Sequence, residues 1–343
     1  MKKSKIIYEK EKKAGVAYAI SASGLELPVI DITHPAFMVN PGEKQINELR
    51  QKLVADGENF LKIPAWLRKI IIYIMFKRSY LGRGIMASSG TFLDGMSVYL
   101  LKLGQENLGK GYATAMDKSI AAGLGHLSLR MRLQDMAREI SGGIKPLLAQ
   151  RPRASLHFVN IAGGPAMDTL NALILLYKEA PDQVRNREIK IHLLDMDSEG
   201  PAFARDALNA LQSAGAVLGG LKAQINIIKH DWANTAELEK YLRDNIPADA
   251  VVAVSSEGGM FDYCPDGLLF ANMKAIYDAT PADTVLAGTL STHDDIGKLY
   301  NMHSNSTIER SLEAFSLAVA GHGWFVNKSY AEPFGIVIGM RKG

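Results

Sequence analysis

The sequence predicts an α/β protein: a Rossmann-like, doubly wound, mostly parallel seven-stranded sheet with a terminal antiparallel hairpin, preceded by a mainly helical region. Three observations predict it. After Arg151-Pro152-Arg153, short apolar runs alternate with amphipathic stretches, the texture of buried parallel strands and crossover helices. The first run, Leu156 to Ile161, enters the small-residue turn Ala162-Gly163-Gly164-Pro165, and a helical pattern follows, as where a strand feeds a helix N-terminus. The last two runs, Gly323 to Val326 and Phe334 to Met340, are separated by only a few residues. A parallel return needs about a dozen, so this pair is antiparallel.

Taken in order, residues 1–42 read as irregular, with short apolar pieces at Gly15 to Ile20 and Leu27 to Ile30. Glu43 to Asp56 is an amphipathic helix, and Pro64 suits the first turn of a helix ending near Arg78. Thr91 to Leu103 sets Phe92, Met96, Tyr99, Leu100 and Leu103 on one helical face. Ala115 to Ala149 gives one or two helices, with Gly123, Gly125 and Gly142-Gly143 as breaks. Strands follow at 156–161, 189–195, 224–229, 249–255 and 283–290. Helices at 167–180, 199–214, 235–244 and 267–279 separate them, and another at 306–320 precedes the hairpin. The expected division is a helical lid or substrate region, 1–150, and a Rossmann-like domain, 151–343.

The composition, 47% apolar and 22% charged over 343 residues, is that of a soluble globular chain with a sizeable core. Lysines at 2, 3, 5, 10, 12 and 13 supply most of the net charge of +3, but they interleave with Glu9 and Glu11, which reads as a solvated end and not a nucleic-acid arm. The single cysteine, Cys264, excludes an internal disulfide and points to a reducing, cytoplasmic setting. The polar stretch after the basic start does not read as a secretory signal. Trp66 to Phe76 is apolar but too short to span a bilayer and carries Arg68 and Lys69, so it is expected to be buried, with no membrane partner.

In a doubly wound sheet, ligands bind at the carboxyl ends of the strands. Those ends hold Ala162-Gly163-Gly164, then Asp195-Met196-Asp197, then His230-Asp231-Trp232, then Ser255-Ser256-Glu257-Gly258-Gly259. Gly163 and Gly164 leave backbone bare for close approach. A carboxylate at the second tip can accept from both hydroxyls of a ribose. Asp231 can accept from an exocyclic amine, with Met196 or Trp232 covering a base. Either acid alone is more often a helix cap or turn residue.

These ordered motifs resemble the class I S-adenosylmethionine-dependent methyltransferases of small-molecule type, over about 155–343. The resemblance implies S-adenosyl-L-methionine as cofactor, with Ala162, Gly163 and Gly164 under its methionine part, Asp195 at its ribose and Asp231 at its adenine amine. Met196, Trp232 and Ser256 would complete the binding site. Two departures stand out: Pro165-Ala166 replaces the usual third glycine, and the interval from Gly163 to Asp195 is long.

The implied reaction is methyl transfer to an oxygen or nitrogen of a small molecule. Candidate proton-handling groups are Glu257 after the fourth strand and His293 with Asp294 after the fifth. No metal is expected. Helices around Tyr80 to Tyr112 would form the lid, with Arg83 reaching an anionic group. A non-catalytic S-adenosylmethionine- or nucleotide-binding partner subunit is the alternative. An NAD-dependent oxidoreductase ranks lower, because the Gly-x-Gly-x-x-Gly fingerprint is absent. Nucleic acid is not expected as substrate: Ser255-Ser-Glu-Gly258 stands where an Asn/Asp-Pro-Pro-Tyr motif would lie. Homodimerisation through the helical part is the base-rate expectation.

Overall fold

The structure, a computed structural model, describes residues 6–87, 93–292 and 307–343. An antiparallel ribbon, β1 (Tyr18–Ile20) and β2 (Glu26–Pro28), opens the chain. This corrects the irregular reading of 1–42: strands of three residues are too short for alternation to show. The helical part is α1 (Glu43–Leu61), α2 (Ala65–Lys77), α3 (Tyr80–Ala87), α4 (Gly95–Lys102), α5 (Ala115–Ala121) and α6 (Leu124–Gln150). Asp94 caps α4, its side chain accepting from the Ser97 N–H at 2.8 Å. α5 starts in a capping box between Thr114 and Asp117.

The remainder alternates β3 (Leu156–Ile161), α7 (Met167–Glu179), α8 (Pro181–Val184), β4 (Ile189–Asp195), α9 (Glu199–Gln212), β5 (Ala223–Lys229), α10 (Thr235–Asn245), β6 (Val251–Ser256), α11 (Met260–Tyr263), α12 (Asp266–Ala279) and β7 (Val285–Ser291). It closes with α13 (Leu312–Ala320), β8 (Trp324–Glu332) and β9 (Gly335–Lys342). The seven strands lie in the order β5-β4-β3-β6-β7-β9-β8, and β9 runs antiparallel to both neighbours. Successive strands are added to one side of β3 as far as β5 and then to the other side from β6, and this switch between the parallel neighbours β3 and β6 opens a crevice at their carboxyl ends. β8 extends beyond the expected Val326. Its outer half is polar and half-exposed, with a register shift at Val326/Lys328, so an edge strand of this kind carries no apolar run.

One sheet face packs α6, α7 and α9 around Phe158, Ile191, Leu170 and Phe203. The other packs α10, α12 and α13 around Val254, Leu242, Met273 and Phe315. α6 runs unbroken through Gly142-Gly143 and Pro146, against the expected break. A Cβ on Gly143 would come 2.7 Å from Arg341 Nη2 and 3.0 Å from Val285 Cγ1, so the glycine lets α6 lie close on the sheet. Tertiary packing here overrides local propensity.

The N-terminal segment is tied to the same core. Asn171, fully buried on α7, accepts from Ile32 N–H at 2.8 Å and donates to the Ile30 carbonyl at 3.0 Å. The Tyr99 hydroxyl donates to the Pro28 carbonyl, and its ring meets Phe203 at 4.7 Å. α2 departs from expectation: it buries no residue, and Trp66 is 67% exposed. Among the described residues no helix is long and apolar enough to cross a membrane.

Candidate functional site

The loop after β3 is strained. Ala162, Gly164 and Ala166 have φ of 54°, 56° and 52°, and the left-handed region costs a non-glycine residue on the order of 1–2 kcal/mol. Asp195 at the tip of β4 holds the loop in place. Its Oδ2 accepts from Gly164 N–H at 3.0 Å and its Oδ1 from Asp197 N–H at 2.9 Å. Burial pushes this carboxyl up, and the backbone donors pull the other way.

The two glycines serve the protein's own packing. A Cβ on Gly163 would sit 2.2 Å from Asn160 Oδ1. On Gly164 it would sit 2.8 Å from the Cα of Gly95, the first residue of α4. The helical part thus touches the loop backbone itself, and the reading of both glycines as space left for a ligand is incomplete.

Beneath the loop lies a buried polar cluster. Asn160 Nδ2 donates to Asp168 Oδ1 at 2.9 Å, Thr169 Oγ1 at 3.2 Å and Ser255 Oγ at 3.0 Å. Asp168 is fully buried, and its Oδ2 has no hydrogen-bond partner among the described residues. Burial, reinforced by the Glu257 charge, pushes its carboxyl up from 3.8 to about 6.

The sign of the pH effect follows. A carboxyl raised on folding stabilises fully below its unfolded pKa, and that contribution is lost as pH rises through the folded one. Asp168→Asn keeps the acceptor for Asn160 and removes the titration. We expect it to match the wild type near pH 4 and to exceed it by about 2 kcal/mol at pH 8, an estimate from the size of the shift. Urea unfolding at both pH values is the measurement, and parallel pH profiles would refute the assignment.

Above the loop opens a cavity of about 630 Å³. Its floor is the set of strand tips: Ala162, Gly163, Gly164, Asp195, Met196, Asp231, Trp232 and Glu257 all line it. Its roof comes from α4 and α6, through Val98, Lys102, His126, Leu129 and Arg132. Asp231 Oδ1 accepts from Ala233 N–H at 2.9 Å in an Asx turn, and the residue lines the cavity. Met196 is half-exposed. Ser256 is buried and is not among the lining residues; its Oγ accepts from Met260 N–H at 3.0 Å. Burial brings His126 down to about 4, so its ring is neutral at pH 7.

Glu257 is bound into an ionic wall. Its Oε1 lies 2.7 Å from Lys102 Nζ and 3.6 Å from Arg132 Nε, and Arg132 Nη1 lies 3.2 Å from Asp262 Oδ2. Lys102, Glu257 and Asp262 are almost wholly buried and Arg132 nearly so. Burial alone would lower the Arg132 guanidinium, but Asp262 and Glu257 more than offset it and hold it above its usual range. His293 and Asp294, with Asp295, lie outside the described residues. Arg83 is exposed and stacks on Tyr80 at 5.5 Å, and it is not part of the cavity lining. Sequence reasoning missed Lys102, Arg132 and His126. Lys102 had a signal: it is the lone cation in the apolar run Met96 to Leu103, and a cation on a buried helix face needs a partner.

A parallel sheet whose strand order switches at β3/β6, closed by a single antiparallel β9, with acids at successive tips below a roofed cavity, decides the fold. It is the class I methyltransferase fold. No protein-family model and no curated protein matches the sequence. Among solved structures, a possible exported protein from Bordetella parapertussis matches 87% of this chain and 94% of its own, at 15% identity and TM-score 0.56. An O-methyltransferase family protein from Burkholderia thailandensis matches 66% of this chain at 13% identity and TM-score 0.41. Human N-acetylserotonin methyltransferase, in complex with S-adenosylmethionine, matches 66% at 14% identity and TM-score 0.36. This chain spans 60% and 58% of the length of those two methyltransferase-fold proteins.

Proposed function

We propose that this chain is an S-adenosylmethionine-dependent methyltransferase acting on an oxygen or nitrogen of a small molecule, in the cytoplasm. The observation that carries the reading is the cavity: its floor gathers the four strand tips, and α4 and α6 roof it over. About 630 Å³ is within the range for small-molecule sites. The donor set fits the cofactor. Each Asp195 oxygen takes one backbone N–H and keeps lone pairs for ribose hydroxyls. Asp231 offers an acceptor to the adenine amine, and Met196 and Trp232 offer apolar cover. When bound, S-adenosylmethionine supplies a methyl group on a cationic sulfur.

The chain's own residues then orient the acceptor and handle its proton. Two cations and two carboxylates make the Lys102–Glu257–Arg132–Asp262 wall electrically balanced, which suits a neutral acceptor. We assign Glu257 to positioning, because it is paired to Lys102, and His293 with Asp294 to proton removal. The helices of 1–150 that roof the cavity shape the acceptor's side of it.

The test is calorimetric titration with S-adenosylmethionine on wild type and Asp195→Ala. Wild type is expected to bind, and the variant to lose about tenfold to hundredfold, the worth of one or two charge-assisted hydrogen bonds. No binding of S-adenosylmethionine or its demethylated product by folded wild type would refute the assignment.

A further inference from the structure

We propose that α2 is a docking element for an anionic lipid surface. Trp66, Ile70, Tyr73 and Ile74 are 67%, 46%, 54% and 53% exposed, and their spacing puts them on one side of the helix. Isolated exposed apolar residues need no explanation, but a contiguous patch marks an interaction site.

The charge around the patch selects the partner. From Asn59 to Leu93 the chain has no acidic residue and six cations: Lys62, Arg68, Lys69, Lys77, Arg78 and Arg83. None of the six forms an ion pair among the described residues. A second copy seated on this face would bring two such sets of cations together with no acid from the same segment to neutralise them. An anionic bilayer neutralises them and takes up the apolar side chains in the same contact. Exposed Trp and Tyr beside Lys and Arg are the composition of an interfacial helix. A 13-residue helix is about 20 Å long, so it lies along the surface and does not cross it. This replaces the expectation that Trp66 to Phe76 is buried.

The experiment is co-sedimentation of the full chain with phosphatidylcholine vesicles and with vesicles of equal parts phosphatidylcholine and phosphatidylglycerol. The bound fraction is expected to be at least roughly tenfold higher on the anionic vesicles and to fall steeply with added salt. Trp66→Ala/Ile70→Ser/Tyr73→Ser should abolish binding while leaving the unfolding temperature and S-adenosylmethionine titration unchanged, since these side chains are exposed and outside the cavity lining. Lys69→Glu/Lys77→Glu should weaken binding with the apolar face intact. Equal partition onto both vesicle types, or none, overturns the proposal. So does a dimer in sedimentation equilibrium that the apolar variant dissociates, which would seat a second copy on the face.

Discussion

Lys102→Met is expected to destabilise the fold by about 3–5 kcal/mol, the usual consequence of removing one partner from a buried ion pair. The shape is nearly conserved, so the effect is electrostatic. Lys102 and Glu257 are both almost wholly buried, and their charged atoms lie 2.7 Å apart. Without the ammonium, Glu257 keeps, among the described residues, only the 3.6 Å ion-pair contact to Arg132, which Asp262 already engages. The Glu257 charge also raises Asp168, which the Lys102 charge lowers. The variant should therefore move the Asp168 titration further up and make stability at pH 8 suffer more than at pH 5. Lys102→Met/Glu257→Gln removes both charges and should recover most of the loss, because replacing a whole buried pair is often close to neutral. Urea unfolding of the two single variants and the double variant measures the coupling. A single-variant cost below 1 kcal/mol, or no recovery in the double, would show that the wall is solvated and the pairing unimportant.

The wall also shows why the sheet was legible in the sequence and the roof was not. Strands buried on both faces advertise themselves as apolar runs, so β3 and β4 fall at 156–161 and 189–195 as read, and Asp195 and Asp231 follow their strands as expected. The roof depends on which helix faces meet, and one-dimensional periodicity does not encode that. Lys102 and Glu257 lie far apart in the chain, and only the docking of α4 over the strand tips joins them. Gly95 and Gly164 likewise look like an ordinary helix start and an ordinary tight turn until they are seen in contact. Gly142-Gly143 misled for the same reason: the interhelical texture says break, and the sheet beneath says close packing. α2 erred in the other direction, since a run of isoleucines reads as core whether what covers it is the protein or another phase.

Gly164→Ala is expected to cost about 2–4 kcal/mol of stability and to weaken S-adenosylmethionine binding by on the order of 100-fold, the equivalent of two charge-assisted hydrogen bonds. Two effects act together. The residue sits at φ 56°, where an alanine pays about 1–2 kcal/mol. The new methyl would lie 2.8 Å from the Cα of Gly95, and a backbone atom cannot rotate away as a side chain can. Relief requires the loop to shift from α4, and that shift breaks the 3.0 Å bond from Gly164 N–H to Asp195 Oδ2. Asp195 then loses the orientation that its proposed ribose contacts need. Gly95→Ala separates the two effects: it makes the same contact from the other side, 2.8 Å from the Cα of Gly164, with no left-handed backbone. It should weaken binding by a comparable factor at a smaller cost in stability. Gly142→Ala is the control. Nothing lies within 4 Å of its added methyl, and in the interior of α6 alanine should stabilise by about 0.5–1 kcal/mol. Unchanged cofactor affinity in both Gly164→Ala and Gly95→Ala would show that the contact between α4 and the loop is structural only, and that the helical part does not set the cofactor site.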